Sequence, residues 1–334
     1  MMKIRRSSLA LVAVGVLLIA LAGILRFAVV PGLTKLPADT DITSQYEGTA
    51  TLLNSAALKS GDTANALMRG LPITVDRHVF VSSSTDDVAV VHDDSVINGP
   101  NGLTIDQKRT YALDRSTRTE ASAPEGEQVD PHQGLTVALP MNPPADDSLQ
   151  IWDSGTQATV PAVYKGSESI HGRDANRYEA SAQGTLKNQA TLKTLPPALP
   201  KALIEKLLPS LPAASQDALG AVLPTLSDPV PLAYSWASKL DVAVDKKLGL
   251  PITAAQSQKV VAGVEVGGQR IDLLPVMVID VKSTDAAGKA SADRMKSAAD
   301  KLALVEDYIP LGLVIVGALL IVVGIVRRRP VAGA

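Results

Sequence analysis

Cysteine is absent from the 334-residue sequence. Its absence excludes disulfide bonds, thiolate metal sites, a thiol nucleophile and the lipid-modified cysteine of a lipoprotein. Aromatic residues are also scarce, at 2 Trp, 6 Tyr and 2 Phe. Any hydrophobic core must therefore be built mainly from Val, Leu, Ile and Ala.

The sequence also lacks a large net charge and recognisable catalytic motifs. The net charge of −2 offers no global positive field for a nucleic acid. No nucleophile-elbow, Walker-type, His-Glu-x-x-His or Gly-x-Gly-x-x-Gly pattern occurs. We therefore expect no nucleic-acid partner, no metal, no cofactor and no catalytic residues, and we expect that the protein is not an enzyme.

Two long apolar runs are present, one near each end. Leu9–Leu25 holds 17 residues without a charge, and Ile309–Val326 holds 18. At 1.5 Å per residue each helix would cover about 25–27 Å, close to the hydrocarbon thickness of a bilayer. Both runs are apolar all round, as lipid-facing helices are. We interpret them as two transmembrane helices.

Basic residues at the outer ends of the two runs predict the orientation. Lys3, Arg5 and Arg6 precede the first run, and Arg327–Arg329 follow the second. Positive residues are retained on the cytoplasmic side, so both termini should be cytoplasmic and the main domain periplasmic. Arg26 lies on the opposite side of the first run, where it can snorkel to the interface.

A cleaved signal peptide is the alternative for the first run, because Ala20–Ala22 fits a small-residue cleavage site. The apolar run continues beyond that site, which favours a retained anchor. For the second run, the abrupt arginine stop argues against a buried core helix. A sortase-type wall anchor is rejected because no Leu-Pro-x-Thr-Gly motif precedes this tail.

The segment between the runs is predominantly β-patterned. Ile73–Ser83 alternates apolar and polar residues, and Val160–Ala180 predicts a hairpin with Gly172 in its turn. In that hairpin Tyr164 and Tyr178 should lie near each other. Residues 45–185 are predicted to be mostly strands, and strands resume at Lys239, with Gly267 and Gly268 forming a second hairpin turn.

A Pro- and Leu-rich insertion at residues 190–232 interrupts the strands. It predicts two short helices bounded by prolines, which either cap a sheet face or form an apolar lid over a lipid-sized groove. Leu203, Leu207, Leu219 and Leu223 would then line the groove, with Trp152 and Trp236 at its rim. These six residues are the predicted ligand-binding residues.

The predicted fold class is α+β: an antiparallel β-rich exterior domain, either a half-barrel or a sandwich, with a short helical insertion and two flanking transmembrane helices. The predicted segments, in order, are a cytoplasmic tail at 1–8, a transmembrane helix at 9–30, the periplasmic domain at 33–284, a helical stalk at 285–307, a transmembrane helix at 308–326 and a cytoplasmic tail at 327–334.

Other polar groups are weaker candidates for a site. His171 reads as an exposed turn residue rather than a base, since no acid–base partner is identifiable. Thr85–Asp87 and His92–Ser95 offer clustered oxygen ligands, but their spacing matches no cation loop, and we interpret both as solvated turns. If the protein were an enzyme after all, its acid or nucleophile would come from Asp86, Asp87, His92 or Asp153.

Several short motifs occur in an order that resembles a known family. They are Tyr111–Thr117, Gly134–Pro140, Ile151–Asp153, Tyr164–Ala180 and Val244–Ile252. With the two flanking runs, they resemble an actinobacterial two-pass envelope protein family, often labelled PorA-family porins, that includes polar growth factor A. Near Val244 the family has Asp-Pro-x-Thr-Gly, whereas this chain has Asp245-Lys-Lys-Leu-Gly249.

The resemblance implies work in the periplasm of mycolate-containing bacteria. Relatives are linked to traffic of trehalose mycolates with an MmpL-type lipid transporter and to maturation of lipomannan-type lipoglycans. The porin label fits poorly, because the exterior strands carry many alternating charges and a membrane pore needs a closed barrel or a polar-lined bundle.

Two functions follow as expectations. The first is a membrane-anchored accessory protein that binds or hands on an amphiphilic envelope lipid, either a mycolate glycolipid or a lipoglycan. The second is a non-catalytic scaffold for an envelope transporter or glycosyltransferase complex, using small residues such as Gly317 and Gly324 for helix contacts.

Overall fold

The chain folds into two compact units. In the computed structural model, residues 6–211 and 213–327 are described. The larger unit is Ala38–Ala292, and the smaller unit combines the segments on either side of it. Of the two predicted basic tails, residues 1–5 and 328–334 lie outside the described part.

The larger unit is built on a nine-stranded antiparallel sheet, which confirms the α+β class. The strands are β1 (Asp41–Leu53), β2 (Leu67–Ser84), β3 (Val88–Asn98), β4 (Thr104–Asp114), β5 (Gln150–Asp153), β6 (Ala158–Pro161), β7 (Val163–Ile170), β8 (Arg173–Thr185), β9 (Ala198–Leu199), β10 (Val230–Pro231), β11 (Ala233–Asp245), β12 (Pro251–Val266) and β13 (Gln269–Ser283). The order in the main sheet is β4-β3-β2-β1-β13-β12-β11-β8-β7, and β5–β6 and β9–β10 form separate pairs.

The helices lie at the two ends of the chain and between strands. They are α1 (Arg6–Ile24), α2 (Val30–Leu33), α3 (Ser55–Ser60), α4 (Gln189–Lys193), α5 (Lys201–Leu207), α6 (Ala213–Val222), α7 (Asp285–Ala303) and α8 (Ile309–Val326). Two π-helical turns, Leu25–Val29 and Leu304–Tyr308, join α1 to α2 and α7 to α8.

The main sheet curls around one face. A single cavity is lined by residues of β4 and of β8, which are seven positions apart in the strand order. At about 4.8 Å between neighbouring strands, a flat sheet would separate these two strands by roughly 30 Å. The face that carries Tyr46, Arg77 and Trp236 is therefore the inner face of a partly closed sheet, in agreement with the predicted half-barrel.

Both predicted hairpins are confirmed. His171 and Gly172 have φ values of 47° and 76° in the β7–β8 turn, and Gly267 and Gly268 have 57° and 78° in the β12–β13 turn. Two consecutive positive φ angles are the pattern of a type I′ turn, which matches the twist of the strands that it joins. Across the first hairpin, the rings of Tyr164 and Tyr178 lie 5.8 Å apart.

Three sequence interpretations need correction. Residues 251–266, which the sequence pattern divides into the two strand segments 250–258 and 259–266, form the one strand β12, because the pairing continues through two register shifts against β13. The 115–149 segment is mostly irregular instead of mostly strand. His92–Ser95 is the middle of β3, so it is neither a solvated turn nor a cation loop.

The Pro- and Leu-rich insertion forms the two expected short helices, α5 and α6. Each is followed by a 3₁₀ turn that contains a proline, Leu208–Ser210 and Leu223–Thr225. Their apolar side chains pack on the ends of two sheet strands through Val264 of β12 and Leu273 of β13. The sequence analysis missed α4, which begins at the side-chain cap of Asn188.

In the smaller unit, α1 and α8 pack closely through glycine. A β-carbon added to Gly324 would lie 3.0 Å from the Ser8 carbonyl oxygen, and one added to Gly317 would lie 2.7 Å from the Gly15 carbonyl oxygen. Small residues allow this close backbone approach in apolar helix pairs. The helices Ser7–Leu33 and Asp285–Val326 are both long and apolar enough to cross a membrane.

The two π-helical turns lie beside an ion pair. Arg26 Nη1 is 3.0 Å from Glu306 Oε1 and 3.5 Å from Asp307 Oδ1. The same Nη1 donates to the Glu306 carbonyl oxygen at 3.1 Å. Arg26 therefore has ion-pair partners in the helix Asp285–Val326. These partners explain its position more directly than snorkelling alone.

Candidate functional site

Two neighbouring cavities lie in the larger unit, and each is named here by its position. The sheet cavity, of about 180 Å³, lies over the inner face of the main sheet and under β5–β6. The side cavity, of about 390 Å³, lies beside it, next to α4, the end of β1 and the middle of β13. Both cavities are lined by Gln107, Arg109, Tyr111, Trp152 and Ser154.

The two cavities differ in chemistry. The sheet cavity presents charged and amide side chains from the middle of the strands, namely Arg77, Asp93, Arg109, Gln107, Gln256 and Gln258. The side cavity adds a set of aliphatic side chains to a lining that also holds polar groups such as Asp106 and Asp130; the aliphatic ones are Leu52, Leu53, Met68, Leu103, Ile105, Leu195, Val276 and Met277. Charged and amide groups in one cavity, next to aliphatic side chains in the other, suit an amphiphilic molecule.

A buried ion pair forms the floor of the sheet cavity. Arg77 Nε and Nη2 donate to the two carboxylate oxygens of Asp93 at 2.6 and 2.9 Å. Burial alone would raise the pKa of Asp93, but the charges of Arg77 and then Arg109 outweigh it and lower that pKa. Asp93 is therefore a carboxylate at neutral pH, and it neutralises Arg77.

The sequence of β2 carries a signal for this pair. The alternation of β2 runs through Ile73 and Val75 and then places Arg77 on the same inward face. A charged residue at an inward position of an alternating strand is the anomaly that marks a buried polar group. Asp93, which lies diagonally across from Arg77, could be assigned as its partner only once the register of β2 against β3 was known.

Asp153 fixes the position of Trp236 in the cavity wall. Its Oδ2 accepts hydrogen bonds from Trp236 Nε1 at 3.0 Å and from Ser238 Oγ at 2.5 Å. Its Oδ1 accepts from the backbone N–H and the hydroxyl of Thr156 at 2.6 and 2.7 Å. All these contacts orient neighbouring groups, so Asp153 is a structural anchor and not a free acid.

Burial affects the tyrosine that the two cavities share. It raises the pKa of Tyr111 to about 12, with Arg109 acting in the opposite direction and Asp93 reinforcing the rise. The phenol is therefore neutral at physiological pH and can donate a hydrogen bond to a bound group.

The structure places the six predicted ligand-binding residues in two different environments. Trp152 lines both cavities and Trp236 lines the sheet cavity. Leu219 and Leu223 are buried with Val264 and Leu273 in the core under the insertion. Leu203 packs against Leu58 and Ala66, and Leu207 is also buried. None of these four leucines lines either cavity.

Comparison with known protein families identifies the family to which the chain belongs. The family model described as Porin PorA matches residues 7–326. The chain belongs to the porin PorA family. Because the match spans both apolar helices and the sheet between them, it confirms the resemblance noted in the sequence.

Other comparisons add little to this PorA-family chain. No curated protein matches it. Among solved structures, a protein described as a MaoC domain dehydratase from Chloroflexus aurantiacus J-10-fl shares 13% identity, with 82% of this chain and 90% of that chain covered and a TM-score of 0.14. A protein described as an oleoyl thioesterase from Lactobacillus plantarum shares 11% identity, with 74% and 77% covered and a TM-score of 0.12.

The turn that departs from the family pattern keeps its two structural residues. Asp245 is fully buried, and its Oδ1 accepts from the N–H groups of Lys247 and Leu248 at 3.0 and 2.9 Å, while Oδ2 pairs with Arg173 at 2.7 Å. Gly249 has φ of 68°, and an added β-carbon would collide with the backbone of Pro140. In this turn, Lys247 and Leu248 therefore contribute backbone N–H groups to the Asp245 carboxylate.

The residues considered for catalysis are dispersed. Asp86 and Asp87 lie in the β2–β3 turn. His92 stacks on Phe80, with ring centres 4.6 Å apart, and its Nε2 is 2.9 Å from Ser82 Oγ. His171 lies in its turn, with Nε2 3.6 Å from Asp285 Oδ1. Within residues 6–211 and 213–327, no group of three or more His, Asp or Glu side chains is placed to hold a metal ion.

Proposed function

We propose that this PorA-family protein is a membrane-anchored accessory protein whose exterior domain binds or hands on an amphiphilic envelope lipid. The observation that carries the proposal is the pair of adjoining cavities that share Trp152 and Arg109, with charged and amide groups in the first and a set of aliphatic side chains in the second. A lipid headgroup would occupy the sheet cavity and its acyl chain the side cavity. From the family resemblance, a mycolate glycolipid or a lipoglycan is the expected class.

The two apolar helices support the membrane part of the proposal. Many of their large apolar side chains are exposed, among them Leu17 at 67% and Leu311 at 58%. A bilayer would cover these surfaces. We propose a two-pass topology with both termini in the cytoplasm and the larger unit in the periplasm, as the basic residues at the ends favour.

The outer surface of the sheet argues against a pore formed by its strands. Arg177 makes a bidentate ion pair with Asp241 at 2.7 and 2.9 Å, and Lys239 pairs with Glu179 at 3.0 Å. Charged side chains of this kind are unfavourable on strands that face lipid. This surface suits an aqueous compartment, which favours a periplasmic binding domain over a pore.

The scaffold alternative receives less support. The small residues expected to contact a partner helix, Gly317 and Gly324, pack against α1 of the same chain. A transporter of the MmpL type stays an expected partner from the resemblance, because a protein that hands on a lipid needs a donor or an acceptor.

Lipid analysis of the full-length protein tests the proposal. The chain would be purified from its native host, and co-purifying lipid would be identified by mass spectrometry. We expect one class of amphiphile at near-stoichiometric amounts with the wild type and its loss in Ser154→Phe, which fills the junction of the cavities. Ser257→Phe, on the outer face of the sheet, is the matched control and should retain the lipid.

Two results would contradict the proposal. One is wild-type protein without enriched lipid beyond that of the surrounding bilayer. The other is equal lipid content in Ser154→Phe and Ser257→Phe, since lipid held outside the cavities would not respond to their filling.

A further inference from the structure

Among the described residues, two cations that line the cavities have no carboxylate within ion-pair distance, namely the half-buried Arg109 and the exposed Lys108. Arg77, in contrast, is paired with Asp93 at 2.6 Å. Arg109 lines both cavities, and its Nη2 donates only a long hydrogen bond of 3.3 Å to Gln107 Oε1. Among the described residues, no carboxylate oxygen lies within the 4.0 Å ion-pair distance of its guanidinium group.

Three of the carboxylates that line the cavities have hydrogen-bond or ion-pair partners of their own. Asp93 lies directly opposite Arg109 in the β3–β4 register but is engaged by both nitrogens of Arg77. Asp130 lines the side cavity and accepts from the N–H of Thr110 at 2.8 Å. Asp153 accepts four hydrogen bonds from Thr156, Trp236 and Ser238. Arg109 is therefore the half-buried cation of the cavities with no carboxylate within ion-pair distance in the described part of the chain, and Asp93 acts on it only through its charge.

Neutral donors surround the same position. Gln107 lies two residues away on the same face of β4, and the phenol of Tyr111 is the next inward group along that strand. A guanidinium with adjacent amide and hydroxyl donors matches an oxyanion, which accepts charge-assisted hydrogen bonds. The aliphatic wall of Leu103, Ile105 and Met277 begins beside it in the side cavity.

We propose that Arg109 binds the oxyanion of a singly negative amphiphile, a carboxylate or a phosphodiester, whose acyl chain lies in the side cavity. This inference rests on the proposed lipid-binding function and specifies the charge of its ligand. It distinguishes an anionic lipid from a neutral glycolipid, which would need hydroxyl contacts but no unpaired cation.

The two tryptophans allow a direct test on the full-length protein. Trp152 and Trp236 are the only tryptophans in the sequence, and both line the sheet cavity. Brominated acyl chains quench tryptophan fluorescence on contact, so quenching reports chain entry. The protein would be held in an amphipathic polymer and titrated with dibromostearate, with brominated phosphatidylglycerol and with the neutral monoglyceride of dibromostearic acid.

We expect both anionic probes to bind about 10-fold or more tighter than the neutral monoglyceride, as for one charge-assisted contact. Arg109→Gln should remove that preference, and Arg109→Lys should keep part of it. Lys259→Gln, which removes a positive charge from an exposed position outside both cavities, is the matched control and should behave like the wild type. Thermal unfolding of each variant would verify that it is folded.

The outcomes separate the two proposals. Quenching by all three probes with equal affinity, or a preference unchanged in Arg109→Gln, would overturn the anionic-ligand inference and leave lipid binding standing. No quenching by any probe would overturn the lipid-binding proposal itself. Competition by inorganic phosphate without chain-dependent quenching would show that the site takes a free anion, and it would also overturn the inference.

Discussion

At the scale of single residues, two cross-strand ion pairs differ mainly in their surroundings. Arg77–Asp93 lies on the inner face of the sheet, where the Asp93 side chain is 9% exposed, whereas Arg177–Asp241 lies on the outer face, with Arg177 46% exposed. Both are bidentate. Removing one partner of a buried pair leaves an uncompensated charge, while water compensates an exposed one.

This contrast gives a stability prediction. Arg77→Met should lower the free energy of unfolding by about 3–5 kcal/mol, because Asp93 would be left buried without its cation. Arg177→Met should cost only about 0–1 kcal/mol. Denaturant titration of the full-length protein in detergent, followed by tryptophan fluorescence, measures both. The double variant Arg77→Met/Asp93→Leu should recover much of the lost free energy of unfolding. Equal losses in Arg77→Met and Arg177→Met would show that Asp93 is solvated, and this would contradict the prediction.

Buried phenols give a prediction for alkaline pH. Burial raises the pKa of Tyr111 and of Tyr234 to about 12, compared with 10.0 for a free tyrosine. The folded protein therefore holds protons that the unfolded chain releases between pH 10 and 12. The associated stabilisation is complete below pH 10 and is lost as pH rises through about 12.

Ultraviolet absorbance of tyrosinate checks this prediction. In the folded protein, three of the 6 tyrosines should ionise late, because burial raises the pKa of Tyr111, Tyr178 and Tyr234. Tyr111→Phe and Tyr234→Phe should each remove one late-ionising group. If all tyrosines ionised together near pH 10 while the fold persisted, the phenols of Tyr111 and Tyr234 would be solvent-accessible, which would contradict the prediction.

At the scale of secondary-structure elements, the packing of α1 on α8 depends on contacts that the sequence alone could not assign. A β-carbon at Gly324 would lie 3.3 Å from that of Leu11, whereas one at Gly312 would meet nothing within 4 Å. Because the chain has no cysteine, introduced pairs report helix proximity without background.

Cross-linking tests this helix pairing. Leu11→Cys/Gly324→Cys should form an intramolecular disulfide on mild oxidation, since its β-carbons are near the 3.5–4.5 Å that a disulfide requires. Peptide mass spectrometry of the monomer band would detect the linked peptides. Leu11→Cys/Gly312→Cys is the control and should stay reduced. A disulfide-linked dimer as the main product of the first pair would instead indicate that Gly324 faces a second molecule.

Local patterns predicted most elements because each depended on nearby residues. The charge-free runs predicted α1 and α8, and the His171–Gly172 and Gly267–Gly268 pairs predicted two hairpins. The 115–149 segment was assigned wrongly because its turn residues leave no period-2 signal to weigh against loop structure. The candidate site was harder, since Arg109, Trp152 and Met277 meet only through the strand order and the curl of the sheet.

The leucines of the insertion show the limit of reading a site from composition. Their spacing correctly predicted short apolar helices, but an apolar stripe serves equally for a lid and for core packing. The contacts with Val264 and Leu273 assign Leu219 and Leu223 to core packing. The side cavity opens instead next to α4, the element that the sequence analysis missed.

At the scale of the whole molecule, the chain combines a pair of apolar helices with a β-sheet domain that contains two adjoining cavities. The helices expose apolar side chains, and the cavities offer charged, amide and aliphatic groups. A lipid-binding domain can serve the envelope only if it lies on the outer side of the plasma membrane. The compartment of the larger unit is therefore the claim on which the proposed function depends.

Cysteine labelling in intact cells tests that claim most directly. Glu125→Cys places a thiol on an exposed turn of the larger unit, and Ser7→Cys places one at the start of α1. A membrane-impermeant maleimide should label Glu125→Cys in intact cells and should label Ser7→Cys only after permeabilisation. Labelling of Ser7→Cys in intact cells while Glu125→Cys stayed protected until permeabilisation would place the domain in the cytoplasm and contradict the account.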